Sequence, residues 1–298
     1  MRRADGGAGR ATPGFSSVAA TVVVAATVIA YRDVLTGLAA QWASDGNWSH
    51  GFLVGPVAAW LAWRRRAGIA AARPRPSDAG LALIGIGVAL FAIGRLGSEL
   101  FLTRLSLVVV VTGSVLALWG PRRLRAVAFP LAFLLLAIPW PAILFNQLAF
   151  PLQLLASLAG EACLRAGDVP VLREGNLLVL PGATLEVAEA CSGIRSLVSL
   201  TMLALVVGEV ALDRPALRAA LVVLTPPVAV AANAARVAAT GFAAHYWGPA
   251  AARGVFHGFS GWIVFSAALV LLLLLARALA WLDRAAPAEA RRPAVAEA

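Results

Sequence analysis

Glu189-Ala-Cys-Ser-Gly-Ile-Arg-Ser-Leu197 stands where a polar segment gives way to an apolar run that continues to about residue 210. A run of that length matches a bilayer crossing of ~20 residues. The thiol of Cys191 is therefore expected at a membrane surface. A lone cysteine in an apolar chain is ordinarily a small buried hydrophobe, so the surrounding sequence has to decide between packing and chemistry.

The composition extends the same reading to the whole chain. Hydrophobic residues make up 60% of the 298 positions, charged residues 13%, and the mean hydropathy is +0.83. These values exclude an ordinary soluble domain. The fold class expected is all-α and integral to the membrane, with about eight transmembrane helices in one bundle. Apolar runs lie at about 15–31, 51–63, 79–97, 101–119, 126–145, 193–210, 216–240 and 258–281, the second being short. Residues 1–14 read as an N-terminal tail, 15–282 as the transmembrane domain and 283–298 as a disordered C-terminal tail rich in Ala, Pro, Glu and Arg. No small-residue cleavage pattern precedes Tyr31-Arg32-Asp33, so the first run is expected to persist as a helix.

The net charge of +10 comes from arginine alone, because the chain has no lysine. The arginines cluster in short loops: 2, 3 and 10; 64–66, 73 and 75; 122, 123 and 125; 214 and 218; and 284, 291 and 292. Eight crossings put all of these clusters on one side, which the positive-inside rule makes the cytoplasm. That pattern is a topology signal, and nucleic acid is not expected as a partner. Both termini are then cytoplasmic, in a multi-pass protein of the inner membrane whose direct surroundings are the lipid bilayer. His50 precedes the second run, Cys191 the sixth and His257 the eighth, while Arg236 lies near the end of the seventh. All four are expected at the outer face.

The longest outer segment, Asn146 to Glu189, is expected to hold an interfacial helix over 151–167 and then a hairpin. The hairpin is read from alternation around Asn176–Leu180, a Pro181-Gly182 turn and Thr184–Val187. Cys163, in an apolar helix-like stretch, reads as a packing residue. Ser192 is expected to cap the helix after the cysteine, and Glu186 and Glu189 to pair with Arg195 or Arg173. Two cysteines make no disulfide framework, and no metal-spaced cluster is present, so neither a cofactor nor a metal is expected.

Several polar residues then bear on the thiol. Asn233 and Arg236 are three apart and share a helix face downstream of Pro226-Pro227. An arginine near the end of an apolar span either snorkels to the surface or faces the bundle. A neighbouring His or Arg lowers a thiol's pKa and handles the protons of acyl transfer, and a guanidinium can hold an oxyanion. Arg195, four residues beyond Cys191, supports the thiolate or binds a lipid headgroup. His50, in Trp48-Ser-His-Gly51, is a candidate for substrate contact.

The motifs at 189–197, Asn233-x-x-Arg236, His257-x-x-x-Gly261-Trp262 and Trp48-Ser-His-Gly-Phe-Leu-Val54 ahead of Trp63-Arg-Arg-Arg66 together resemble the exosortase/archaeosortase family. The resemblance covers roughly residues 15–282. It implies a membrane-embedded cysteine protease or transpeptidase that cuts C-terminal sorting signals of the PEP-CTERM type: a short motif, a transmembrane helix and a basic tail. It implies catalytic roles for Cys191, Arg236 and His257, and a histidine at 257 is the mark of the bacterial branch; beside them His50, Glu189, Arg195 and Asn233 are expected, from the residues themselves, to bind substrate or support the site. An extra C-terminal domain carried by some members is not expected here. The partners would be membrane-anchored proteins bearing such tails, with the acceptor amine open and water as its alternative. The competing reading is a non-enzymatic transporter or scaffold for envelope polysaccharide assembly, in which Cys191 is incidental.

Overall fold

The computed structural model describes residues 13–187, 193–250 and 255–285, with side chains from 18 in the first helix and over 261–284 in the last. It divides into two compact units, Met1–Pro141 and Ala142–Ala298. The N-terminal unit holds α1 (Pro13–Ala30), α2 (Arg32–Ser44), α3 (Gly51–Arg64), the short α4 (Arg66–Ala71), α5 (Ala79–Leu96), α6 (Leu100–Phe133) and a 3-10 turn, η1 (Leu134–Ala137). The C-terminal unit holds α7 (Ala142–Ala166), strands β1 (Leu172–Glu174), β2 (Leu177–Leu180) and β3 (Ala183–Glu186), then α8 (Ile194–Ala211), α9 (Pro215–Trp247) and α10 (Val255–Ala285).

Among the described residues six helices are long and apolar enough to cross a membrane: α5, α6 continued through η1, α7, α8, α9 and α10. The pair α1 and α2, bent by 62°, makes a seventh if it is one span. The protein is a multi-pass, all-α membrane protein, and six or seven candidate crossings stand among the described residues where about eight are expected, for identifiable reasons. The run at 51–63 is a helix of 14 residues, about 21 Å long, short of a ~30 Å hydrocarbon core. The runs at 101–119 and 126–145 fall mainly in α6 and η1, a helix broken at Gly120, whose φ of 81° is non-helical. Conversely, the interfacial helix expected over 151–167 begins at Ala142 and is span-length. Pro151 lies inside it without ending it.

Small residues let helices approach closely inside each unit, leucines fill the seam of the C-terminal one, and further large apolar side chains are left outside. Gly80, Gly87 and Gly94 recur at seven-residue spacing on α5 and let α6 come so close that a Cβ on them would meet Ala117, Val110 and Thr103 at 2.2–2.6 Å. In the C-terminal unit Leu200, Ala204, Leu221, Ala229, Ala268, Leu272 and Ala276 form the seam between α8, α9 and α10. Val223, Trp262, Ile263 and Leu274 are exposed, as suits side chains facing lipid.

The sheet is antiparallel in the order β1-β2-β3. Two-residue loops connect its strands, Glu174 facing Leu177 and Leu180 facing Ala183. The expected hairpin is β2 and β3. β1 escaped the sequence reading because three residues, two of them Arg173 and Glu174, show no alternation. Leu178, Leu180 and Val187 pack with Ala156 and Leu164 of α7 and Val237 of α9, so the sheet sits over the far ends of both helices. Cys163 is exposed on α7, which corrects the packing role expected of it.

Candidate active site

Glu189, Cys191 and Ser192 lie outside the described residues, and His257 falls in the part of α10 whose side chains do. What surrounds them defines the site. On the approach, Val187 is buried, donates its N–H to the Asn176 carbonyl at 2.9 Å and accepts from Asn176 Nδ2 at 3.4 Å. The sheet is itself anchored to α7. The buried Ser157 hydroxyl donates to the Gly175 carbonyl at 2.9 Å, and the Arg173 guanidinium donates to Glu161 at 2.9 Å. Glu161 also takes Arg165 at 2.8 Å. Arg173 is therefore engaged by Glu161, and not by Glu186 as expected, which is exposed.

On the far side the described chain resumes at Gly193, in the left-handed conformation with φ +80°. Gly193 occupies the cap position of α8, and the cap expected of Ser192 lies outside the described residues. A Cβ on Gly193 would lie 2.8 Å from Asn233 Cγ and 2.9 Å from Asn233 Cβ. Glycine is thus required twice over, by its backbone angle and by the side chain pressed against it.

Asn233 is buried on α9, and Arg236, three residues on, is half-buried on the same face. Arg236 in turn faces α10, where a Cβ on Gly261 would be 3.3 Å from both Cζ and Nη2 of its guanidinium. His257 stands four residues, one helical turn, before Gly261. One face of α9 therefore touches the start of the cysteine helix through Asn233 and the histidine helix through Arg236. Arg195 is exposed in the first turn of α8.

His50 belongs to the N-terminal unit. It is buried, with Nε2 3.2 Å from the Leu136 carbonyl, and its ring also meets the main-chain carbonyl of Asn47. Burial holds its pKa below the ordinary histidine value, against the opposite pull of both carbonyls. Trp42 makes a parallel tie, its Nε1–H donating to the Ala137 carbonyl at 2.9 Å. Trp48 is buried against Trp140 and His50, whereas Trp60 and Trp63 are exposed under Arg64 and Arg66.

The sequence reading gave Asn233 and Arg236 a place in the site, but it met the glycines that seat them only as motif positions without a contact. The only available signal was their place, two residues after the thiol and four after the histidine. Among the described residues no group of three or more His, Cys, Asp or Glu side chains could hold a metal ion. The arrangement offers a guanidinium, able to stabilise an anion, between a helix that begins three residues past a thiol and a helix that carries an imidazole. No curated protein and no solved structure matches the chain significantly. The sequence model for transmembrane exosortases matches residues 42–274, a range that includes Cys191, Asn233, Arg236 and His257, and the chain belongs to that family.

Proposed function

We propose that this exosortase-family protein is a cysteine protease or transpeptidase that removes C-terminal sorting signals from membrane-anchored proteins. The observation that carries the reading is the convergence on α9: Gly193 rests on Asn233, and Gly261 rests on Arg236. A two-residue link reaches at most about 7 Å, so Cys191 is tethered near Asn233 by covalent geometry.

In the proposed reaction the Cys191 thiol loses its proton to His257 and attacks the carbonyl beside the substrate's membrane anchor. The Arg236 guanidinium holds the oxyanion that forms. Collapse breaks the C–N bond, His257 returns the proton to the leaving amine, and an acyl-thioester remains. An acceptor amine or water then releases it. Asn233 positions the start of the cysteine helix, while Arg195 and Glu189 set the local field around the thiol. His50 supports the fold of its own unit, where its ring is already engaged by main chain.

The sidedness is part of the same proposal. α8 carries the chain away from Gly193 to the turn that bears Arg214 and Arg218, and α10 ends near that turn at Arg284. The positive-inside rule makes that end cytoplasmic. The thiol end then opens at the outer face of the inner membrane, with tails of the PEP-CTERM kind as substrates.

The test is co-expression with a protein bearing such a tail, comparing wild type with Cys191→Ala and Cys191→Ser at matched membrane abundance. Wild type is expected to trim the tail and both variants to leave it intact. Trimming by Cys191→Ala would overturn the mechanism.

A further inference from the structure

In the N-terminal unit a cavity of about 250 Å³ lies where α2, the end of α5 and the start of α6 meet. It is lined by Asp33, Gly94, Arg95, Ser98, Thr103 and Arg104, among others. Arg104 is the unusual member. It is only 7% exposed, on a membrane-spanning helix, and among the described residues its guanidinium makes no hydrogen bond or ion pair. Glu99 bears on that charge through space without bonding to it, but a buried cation with no hydrogen-bonded partner is still unfavourable, and this one lines a space large enough for an anion.

The neighbouring acids do not fill that role. Asp33 is shared between Arg32 at 3.3 Å and Arg95 at 3.4 Å. Glu99 caps α6, accepting from the Leu102 N–H at 2.9 Å. Three arginines against two carboxylates leave one positive charge, and the N-terminus of α6 adds its partial charge at the same place. The Ser98 hydroxyl, at a residue held at φ +53°, makes no hydrogen bond among the described residues and is available as a donor. Leu96 and Leu100, 89% and 60% exposed, flank the cavity with apolar surface.

We propose that this cavity binds a phosphate group, with Arg104 as the charged anchor and Arg95 and Ser98 as further donors. The flanking leucines favour the headgroup of an anionic phospholipid, its acyl chains lying along Leu96 and Leu100, over free phosphate.

The full chain, purified in a neutral detergent, tests this by thermal unfolding in two titrations. One uses dihexanoyl phosphatidylglycerol, the other inorganic phosphate against chloride at equal ionic strength. A saturable rise of a few degrees is expected with the lipid. In Arg104→Gln the half-saturating concentration is expected to increase at least tenfold, the loss of one charge-assisted contact, and Arg104→Lys recovers part of it. The same Arg104-dependent rise with inorganic phosphate keeps the site and makes free phosphate its occupant. No rise with either, or equal rises in wild type and Arg104→Gln, overturns the proposal. If Arg104→Gln does not fold, Arg95→Gln takes its place, with half-saturation expected to weaken about threefold; unchanged binding there refutes the site equally.

Discussion

Gly261→Ala puts a methyl group where the structure leaves 3.3 Å to Arg236 Cζ and Nη2 and 3.6 Å to Nε. The contact is tighter than an ordinary van der Waals approach, so the guanidinium has to retreat by a few tenths of an ångström. Because the obstacle is the tip of a flexible side chain, the fold yields cheaply. Alanine in a helix also stabilises by about 0.5–1 kcal/mol relative to glycine. The two terms roughly cancel, and the thermal midpoint of the purified protein should move by no more than about 2 °C, given 2–4 °C per kcal/mol for a chain of this order. Catalysis responds differently. If Arg236 holds an oxyanion, a misplacement of a full ångström costs about 100-fold, and a shift of a third of that should cost about 5-fold. Tail processing, followed as the fraction of substrate trimmed over time at equal enzyme abundance, should therefore slow about fivefold while stability holds. Wild-type processing by Gly261→Ala would show that the Arg236–Gly261 contact has no part in the reaction. A midpoint lowered by many degrees would show instead that it is a structural seam.

Gly193→Ala should behave in the opposite way. It forces a left-handed backbone angle on alanine and drives a Cβ to 2.8 Å from Asn233 Cγ, costs of about 1–2 and 1–3 kcal/mol, so a fall in thermal midpoint should accompany the loss of processing. An unchanged midpoint would refute the contact. Asp283→Ala removes a buried carboxylate that accepts from the Asp213 N–H and Arg214 Nε, each at 2.7 Å. Since Arg214 is a quarter exposed, the expected loss is about 2–3 kcal/mol, below that of a fully buried pair. Processing per folded molecule should be unaffected. His50 is held neutral by burial, its folded pKa lying below its unfolded value near 6.5, so the unfolded chain binds the extra proton. Its stabilising contribution is complete above pH 6.5 and is lost as the pH falls through the folded pKa; His50→Gln should flatten the midpoint's decline between pH 7 and 5, and parallel profiles would refute this.

The membrane class and the site face of α9 were legible in the sequence for separate reasons. Apolar runs near 20 residues announce bilayer crossings, and Asn233 and Arg236 lie three apart, which any helix puts on one side. β2 and β3 showed themselves by alternation around Pro181-Gly182. Span number was not legible, because hydropathy does not register where a helix continues. Ile138-Pro139-Trp140-Pro141 breaks the chain, so the apolar run there ends early and α7 starts at Ala142, long enough to cross. The glycine contacts were hidden in principle: a residue without a side chain carries no hydrophobic period. The seven-residue recurrence of Gly80, Gly87 and Gly94 was nevertheless readable as close helix packing and was missed among many other glycines. Arg104 was swallowed by an apolar window whose average hides one charge.

The level of the proposed site within the membrane follows from helix lengths. α8, with 18 residues, covers about 26 Å at 1.5 Å per residue, close to one hydrocarbon thickness. α9 returns antiparallel to it, and from Pro215 to Asn233 it rises about 27 Å, which brings Asn233 level with the start of α8, where Gly193 rests on it. The remaining turns of α9, from Ala234 to Trp247, pass beyond that level, and there Val237 and Phe242 meet the sheet. The strands thus lie where water or protein can satisfy their edges, as backbone outside helices must near a bilayer. Arg236 lies one turn further along α9 than Asn233. Under the proposed function, a substrate held by its own transmembrane helix would present its scissile bond near the level of Asn233 and Arg236. In that proposal two-dimensional confinement replaces much of the recognition surface that a soluble protease needs, and a small sheet with three helix ends would suffice to build the proposed site.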